Sequence, residues 1–104
     1  MSRHLEAFEE FAERAQEELG ESLEKLVLHG SVARGEERDS SDVDVFAVVE
    51  SKEDLETLRD LAYDIGVMEY GVSISVQGSV SSKFDGFSES SFLRNVDRNS
   101  VEYA

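Results

Sequence analysis

The sequence predicts a small α/β (α+β) domain, with a small mixed β-sheet flanked by helices. Three observations lead there. Apolar residues recur at helical spacing over residues 2–19 and again behind Ser51. Two runs, Leu26-Val27-Leu28 and Val43 to Val49, have the apolar, β-branched character of buried strands. A third, Val72-Ser73-Ile74-Ser75-Val76, alternates with period two. The order α-β-α-β-α-β-α places helices and strands in one layered unit, and 104 residues suffice for a single domain over 1–104.

Each element has its local reason. In the first helix Leu5, Phe8, Ala12, Ala15 and Leu19 fall on one face, Ser2 can cap the start and Gly20 can end it; the opposite face is mostly Glu and reads as solvated. Residues 24–29 form the first strand, which stops at Gly30, and Ser31 to Gly35 make a short helical turn. Residues 36–41 are a polar loop leading into the central strand at Val43. Ser51 with Asp54 is a capping box, and the helix behind it buries Leu55, Leu58, Ala62 and Ile65 up to about Gly66. Gly71 breaks the chain before the third strand, which turns Val72, Ile74 and Val76 to one face and Ser73 and Ser75 to the other. Residues 78–90, rich in Ser and Gly, read as a loop with one helical turn. Ser88 to Arg98 read as a helix with Phe92, Leu93 and Val96 inward, and Val101-Glu102-Tyr103 as a short terminal extension.

The charge is extreme. Twenty-four acidic side chains oppose ten basic ones, a net charge of −14, and only three of the basic residues are Lys. Such a chain repels itself in dilute buffer and repels nucleic-acid phosphates, so direct nucleic-acid binding is not expected. The composition suits concentrated intracellular salt, where screening removes the repulsion, as in a salt-accumulating halophile; an ordinary acidic protein is the alternative. Without cysteine there is no disulfide framework and no thiolate metal site. The N-terminus has no apolar signal core and no apolar stretch approaches membrane-spanning length, so the expected location is cytoplasmic.

The chemistry concentrates in Leu28-His29-Gly30-Ser31-Val32-Ala33-Arg34-Gly35 and Ser41-Asp42-Val43-Asp44-Val45. A strand that ends at a glycine and turns into a helix presents unpaired N–H groups, an arrangement suited to anions. Gly30 allows close approach of a phosphate, the Ser31 hydroxyl can donate to its oxygen, and Arg34 can add charge one turn on. Asp42 and Asp44, two apart along a strand, share a face with Cα atoms about 6–7 Å apart. Carboxylates so placed suit a hard cation, and Mg²⁺ takes one or two carboxylates together with substrate phosphates. A phosphate cradle beside metal carboxylates is what phosphoryl or nucleotidyl transfer requires. His29 reads as a core or rim histidine, His4 as a surface residue. Tyr63, Tyr70 and Tyr103 read as core or rim packing or as self-modification acceptors. Phe84, Phe87 and Phe92 read as a partner patch or as closure of the domain's own core.

With Gly30-Ser31 followed by residues 32–41 and then Asp42-Val43-Asp44, the chain resembles the minimal stand-alone branch of the DNA polymerase beta-like nucleotidyltransferase superfamily. Arg34-Gly35, Ser41 and the Ser91-Phe92-Leu93-Arg94-Asn95-Val96 segment are also similar to that branch. The resemblance implies the polymerase-beta-like fold, with Asp42 and Asp44 as catalytic and metal-binding residues and Gly30, Ser31, Arg34 and Ser41 as nucleotide-binding residues. It implies up to two Mg²⁺ ions, ATP as substrate, attack on its α-phosphate and release of pyrophosphate. It also implies a helical HEPN-type protein as partner in a toxin–antitoxin pair, either adenylylated or masked without chemistry; a subunit role in a larger nucleotidyltransferase assembly is a third reading. The superfamily usually carries a third carboxylate on the next strand. Here Ser73 and Ser75 occupy the outward positions, and Glu69 just upstream is the nearest acid in sequence.

Overall fold

The computed structural model describes residues 2–81 and 101–102. Their order is α1 (Arg3–Leu19), a 3₁₀ turn (Gly20–Ser22), β1 (Leu23–His29), α2 (Gly30–Arg34), β2 (Val43–Val49), α3 (Lys52–Leu61), a π-helical segment (Ala62–Tyr70), β3 (Ile74–Val80) and β4 (Val101–Glu102). The four strands form one mixed sheet in the order β3-β2-β1-β4. β2 lies at its centre, antiparallel to β1 and parallel to β3. The parallel pair is joined by the α3 crossover, which lays that helix and its π-helical continuation on one face of the sheet.

The helix starts are those the sequence announces. The Ser2 side chain accepts from the Leu5 N–H at 3.1 Å. Ser51 and Asp54 form the reciprocal capping box. α1 buries Ala7, Phe8, Phe11, Ala12 and Ala15 against Leu26, Leu28, Val43, Val45, Ala47 and Val49 of the sheet and Leu58 and Ile65 of the second helical run. Full burial of a side chain the size of Phe8, Phe11 or Leu26 contributes about 1.5–3 kcal/mol, so this layer holds the domain together. On the opposite sheet face Val27, Phe46 and Val48 form a second, smaller buried cluster. Among the described residues, no helix is long and apolar enough to cross a membrane.

Several expectations are corrected. β3 extends to Val80, because Gly78, Ser79 and Val80 pair in parallel register with Ala47, Val48 and Val49; the ladder overrides a Ser/Gly composition that reads as loop. The second helical run does not stop at Gly66 but continues to Tyr70, where Gly71 takes a left-handed conformation at φ 69°. Val101 and Glu102 are not a mere extension: they pair antiparallel with Val27 and Leu28 as β4. His4 is buried at 3% exposure rather than at the surface, and Tyr63 is exposed at 57% rather than packed. The remainder of the 78–90 loop, the 88–98 helix, Ser91 to Val96, Phe84, Phe87, Phe92 and Tyr103 lie outside the described residues.

Candidate active site

β1 and β2 run antiparallel and meet at the turn that α2 opens. Strand alternation sends Val43, Val45, Ala47 and Val49 into the helical layer and leaves Asp44 on the opposite face with Phe46 and Val48. Asp42 stands one residue ahead of the strand and is exposed, whereas Asp44 is half-buried. In the sheet Asp44 is flanked in register by His29 on β1 and Ser75 on β3. Neighbours across these ladders have Cα atoms about 4.5–5.5 Å apart, so the three side chains form one row on one face.

Gly30 links the turn to the Asp44 carboxylate. Its φ is +78°, a region that L side chains rarely adopt. A Cβ added there would collide with Oδ2 of Asp44 and crowd its Cγ at 3.2 Å. The glycine is therefore what lets the Asp44 carboxylate lie against the backbone of the turn. His29, the residue before α2, makes no side-chain hydrogen bond to the first N–H groups of the helix, and Ser31 sits half-buried beside them. Gly35 ends the turn in a left-handed conformation, with Glu36 N–H donating to the Ser31 carbonyl at 2.9 Å. The arrangement brings the start of α2, where helix N–H groups lack intrahelical partners, against the Asp44 carboxylate.

The other expected residues are placed differently. The Arg34 Nε donates to Glu36 Oε2 at 2.9 Å, so the guanidinium is held toward its own loop. The Ser41 hydroxyl accepts from the Arg38 N–H at 2.9 Å while Ser41 N–H donates to the Arg38 carbonyl at 2.9 Å, which makes Ser41 a staple of the loop before Asp42. Glu69 is brought together with Glu10 and Tyr70 on the helical side, where its hydrogen bond with Glu10 raises its pKa; it does not join Asp42 and Asp44. Among the described residues, no group of three or more His, Cys, Asp or Glu side chains is placed to hold a metal ion. Mg²⁺ needs only one or two protein carboxylates, its remaining ligands being normally phosphate oxygens and water, so Asp44, with Asp42 two residues before it, would fit that ion.

Two features escaped the sequence. His29 shares the row with Asp44, and its Nε2 is buried without a hydrogen-bond partner. The loop between turn and aspartates is tied to the start of α1: a hydrogen bond from Ser2, one from the backbone and the nearby His4 hold the Glu37 carboxyl below its usual pKa despite partial desolvation. Such long-range partners leave no spacing signal in the chain.

The nucleotidyltransferase domain family matches residues 8–97, a span that includes the Gly30-Ser31 turn, both aspartates and β3. The chain belongs to this family. The fold of this nucleotidyltransferase domain is the small α+β sheet-and-helix arrangement described above. Among solved structures it is similar to a candidate nucleotidyltransferase from Sulfolobus solfataricus, at 22% identity and a TM-score of 0.48, over 97% of this chain and 79% of that one. No curated protein matches the chain.

Proposed function

We propose that this nucleotidyltransferase domain binds Mg²⁺-ATP at the Gly30-Ser31 turn and transfers AMP to a hydroxyl of a protein partner, a helical HEPN-type protein whose activity it silences as the antitoxin of a pair. The observation that supports the reading is the contact between Gly30 and the Asp44 carboxylate, since a phosphate held at the turn and a metal held by Asp44 would then be neighbours. Asp42 and Asp44 would hold the metal; bound there, Mg²⁺ neutralises phosphate charge and favours departure of pyrophosphate. The turn's N–H groups and Ser31 bind and orient the triphosphate. The acceptor oxygen forms a bond to the α-phosphorus as the bond from that phosphorus to the bridging oxygen breaks, pyrophosphate leaves with the bond electrons, and the hydroxyl proton passes to a base. Because such transfer depends chiefly on positioning and electrostatics, it can proceed with a poor base.

A second reading is favoured by Ser75. It stands in register beside Asp44, where the third carboxylate of the superfamily is expected, and a serine neither ligates as a carboxylate nor takes the proton. On that reading the domain masks its partner by binding alone. Transfer of labelled AMP from ATP to a co-purified or co-expressed partner decides between the two. The transferase reading requires label on the partner, lost in Asp42→Asn and Asp44→Asn. Stable complex formation without label in the wild type leaves only the masking module. Calorimetry adds a separate check: wild type should bind ATP more tightly with Mg²⁺, and the double variant should lose that dependence.

A further inference from the structure

AMP transfer as described gives His29 no role, yet the fold sets it beside Asp44. Along β1, Leu26 and Leu28 enter the helical layer and Val27 faces the other way, so alternation puts His29 on the side of Val27. β2 alternates in step, and Asp44 shares that side with Phe46. His29 and Asp44 are direct partners across the antiparallel ladder. Facing side chains of such a pair have Cβ atoms about 4.5–5.5 Å apart. The Asp44 carboxylate leans toward β1, because its Oδ2 fills the place of a Cβ on Gly30, the residue after His29. His29 is half-buried, and its Nε2 is shut off from solvent without a hydrogen-bond partner. A buried nitrogen left unpaired is costly, and folded chains keep few of them. On the other flank of Asp44, Ser75 offers only a hydroxyl.

We propose that His29 is a metal ligand: a divalent ion held by Asp44 takes the His29 imidazole nitrogen as a further protein donor. This role rests on Asp44 as a metal-binding acid and not on AMP transfer. Among the described residues no three His, Cys, Asp or Glu side chains are placed to hold an ion by themselves. Most of the coordination therefore falls to phosphate oxygens and water, and one nitrogen from β1 changes the character of the site. Mg²⁺ is a hard ion that takes oxygen ligands. An imidazole beside a carboxylate favours a divalent transition ion over Mg²⁺. Mn²⁺ is the natural probe, since it also accepts the octahedral, oxygen-rich coordination that suits Mg²⁺. His29 in this role sets which ion the turn and Asp44 recruit.

The test adds Mn²⁺ and inorganic triphosphate, which carries no nitrogen, to the full chain in KCl. Binding is read from the loss of the free-ion electron paramagnetic resonance signal. The ligands are read by electron spin-echo envelope modulation, which detects an imidazole nitrogen bound directly to Mn²⁺. The wild type shows nitrogen modulation, and labelling with ¹⁵N-histidine converts it to the ¹⁵N pattern. The chain has two histidines, so His29→Phe, which keeps a ring at the half-buried position, assigns the signal. That variant loses the modulation and binds Mn²⁺ about tenfold more weakly, while Mg²⁺ binding, measured by competition, changes little. His29→Gln, which is smaller, reads the same way. Mn²⁺ bound without histidine nitrogen, or with a signal that persists in both variants, overturns the proposal and leaves Asp44 as an oxygen-only site. An ion that stays bound in Asp44→Asn sits on other acids and overturns it too. A wild type that binds no Mn²⁺ overturns it together with the metal-binding role of Asp44.

Discussion

At Gly30 one missing carbon decides the geometry of the site. Alanine there must adopt a positive φ and displace the Asp44 carboxylate, whose Oδ2 occupies the space a Cβ would take. Gly30→Ala is expected to lower stability by about 1–2 kcal/mol, read by urea denaturation, and to weaken Mg²⁺-ATP binding by more than that loss implies. Unchanged ATP binding would mean that the turn and Asp44 do not act together. Ser75 is the second decisive position. General-base assistance is typically worth ~10²–10⁴-fold. Ser75→Asp, which restores an acid beside Asp44, should therefore raise the rate of AMP transfer to the partner. A fall in rate would show that the serine is the working residue of this site. Ser73 is exposed one step before the strand, so an acid there lies outside the register row of Asp44 and should do less.

At the scale of elements, two carboxylates couple the helices to pH in opposite directions. Glu37 ties the 36–41 loop to α1 through Ser2, and its pKa lies below 4.5. Its contribution to stability is present above the unfolded value and is lost as the pH falls through the lower, folded one. Glu69 packs against Glu10 where the π-helical segment crosses α1. Its pKa is raised above 4.5, first by the hydrogen bond with Glu10, then by desolvation and the Glu10 charge, with Arg14 opposing. The folded state holds that proton more tightly, so this contact is most favourable below 4.5 and costs stability once the pH exceeds the raised value. Thermal melts from pH 3 to 8 should accordingly show Glu37→Gln losing stability at neutral pH and Glu69→Gln gaining it, with both differences shrinking toward acid. A Glu69→Gln variant that is less stable at neutral pH would contradict the carboxyl pairing.

For the molecule as a whole, charge dominates. Ion pairs such as Arg14 with Glu18 and Arg34 with Glu36 lie at the surface, and surface pairs offset little of a net charge of −14. The apolar core is that of a small domain, so repulsion is a large fraction of the net stability. The unfolding midpoint should rise steadily from dilute buffer to molar KCl, as screening shortens the reach of each charge to a few ångströms. A midpoint indifferent to salt would remove the reading of adaptation to a salt-rich interior. Neutralising acids on the exposed face of α1, such as Glu13 and Glu17, should mimic part of the salt effect.

The helix starts, the two central strands and the Gly-Ser and Asp-x-Asp pair were legible because each is encoded within a few residues. Ser51 and Asp54 name a cap, β-branched Val43 to Val49 names a buried strand, and Gly30-Ser31 names the glycine turn between β1 and α2. What the chain conceals depends on partners far away in sequence. Gly78-Ser79-Val80 looks like loop and becomes strand because β2 offers it a ladder. Val101 and Glu102 become β4 only against β1. His4 is buried and Glu69 is turned toward Glu10 because α1 packs where it does. Local sequence thus set which residues stand at the turn and at the start of β2. Tertiary structure alone decided that Asp44 rests against Gly30, that Ser75 and His29 are its neighbours, and that β3 is left as an outer strand, since each of these is a contact between segments that no short-range spacing records.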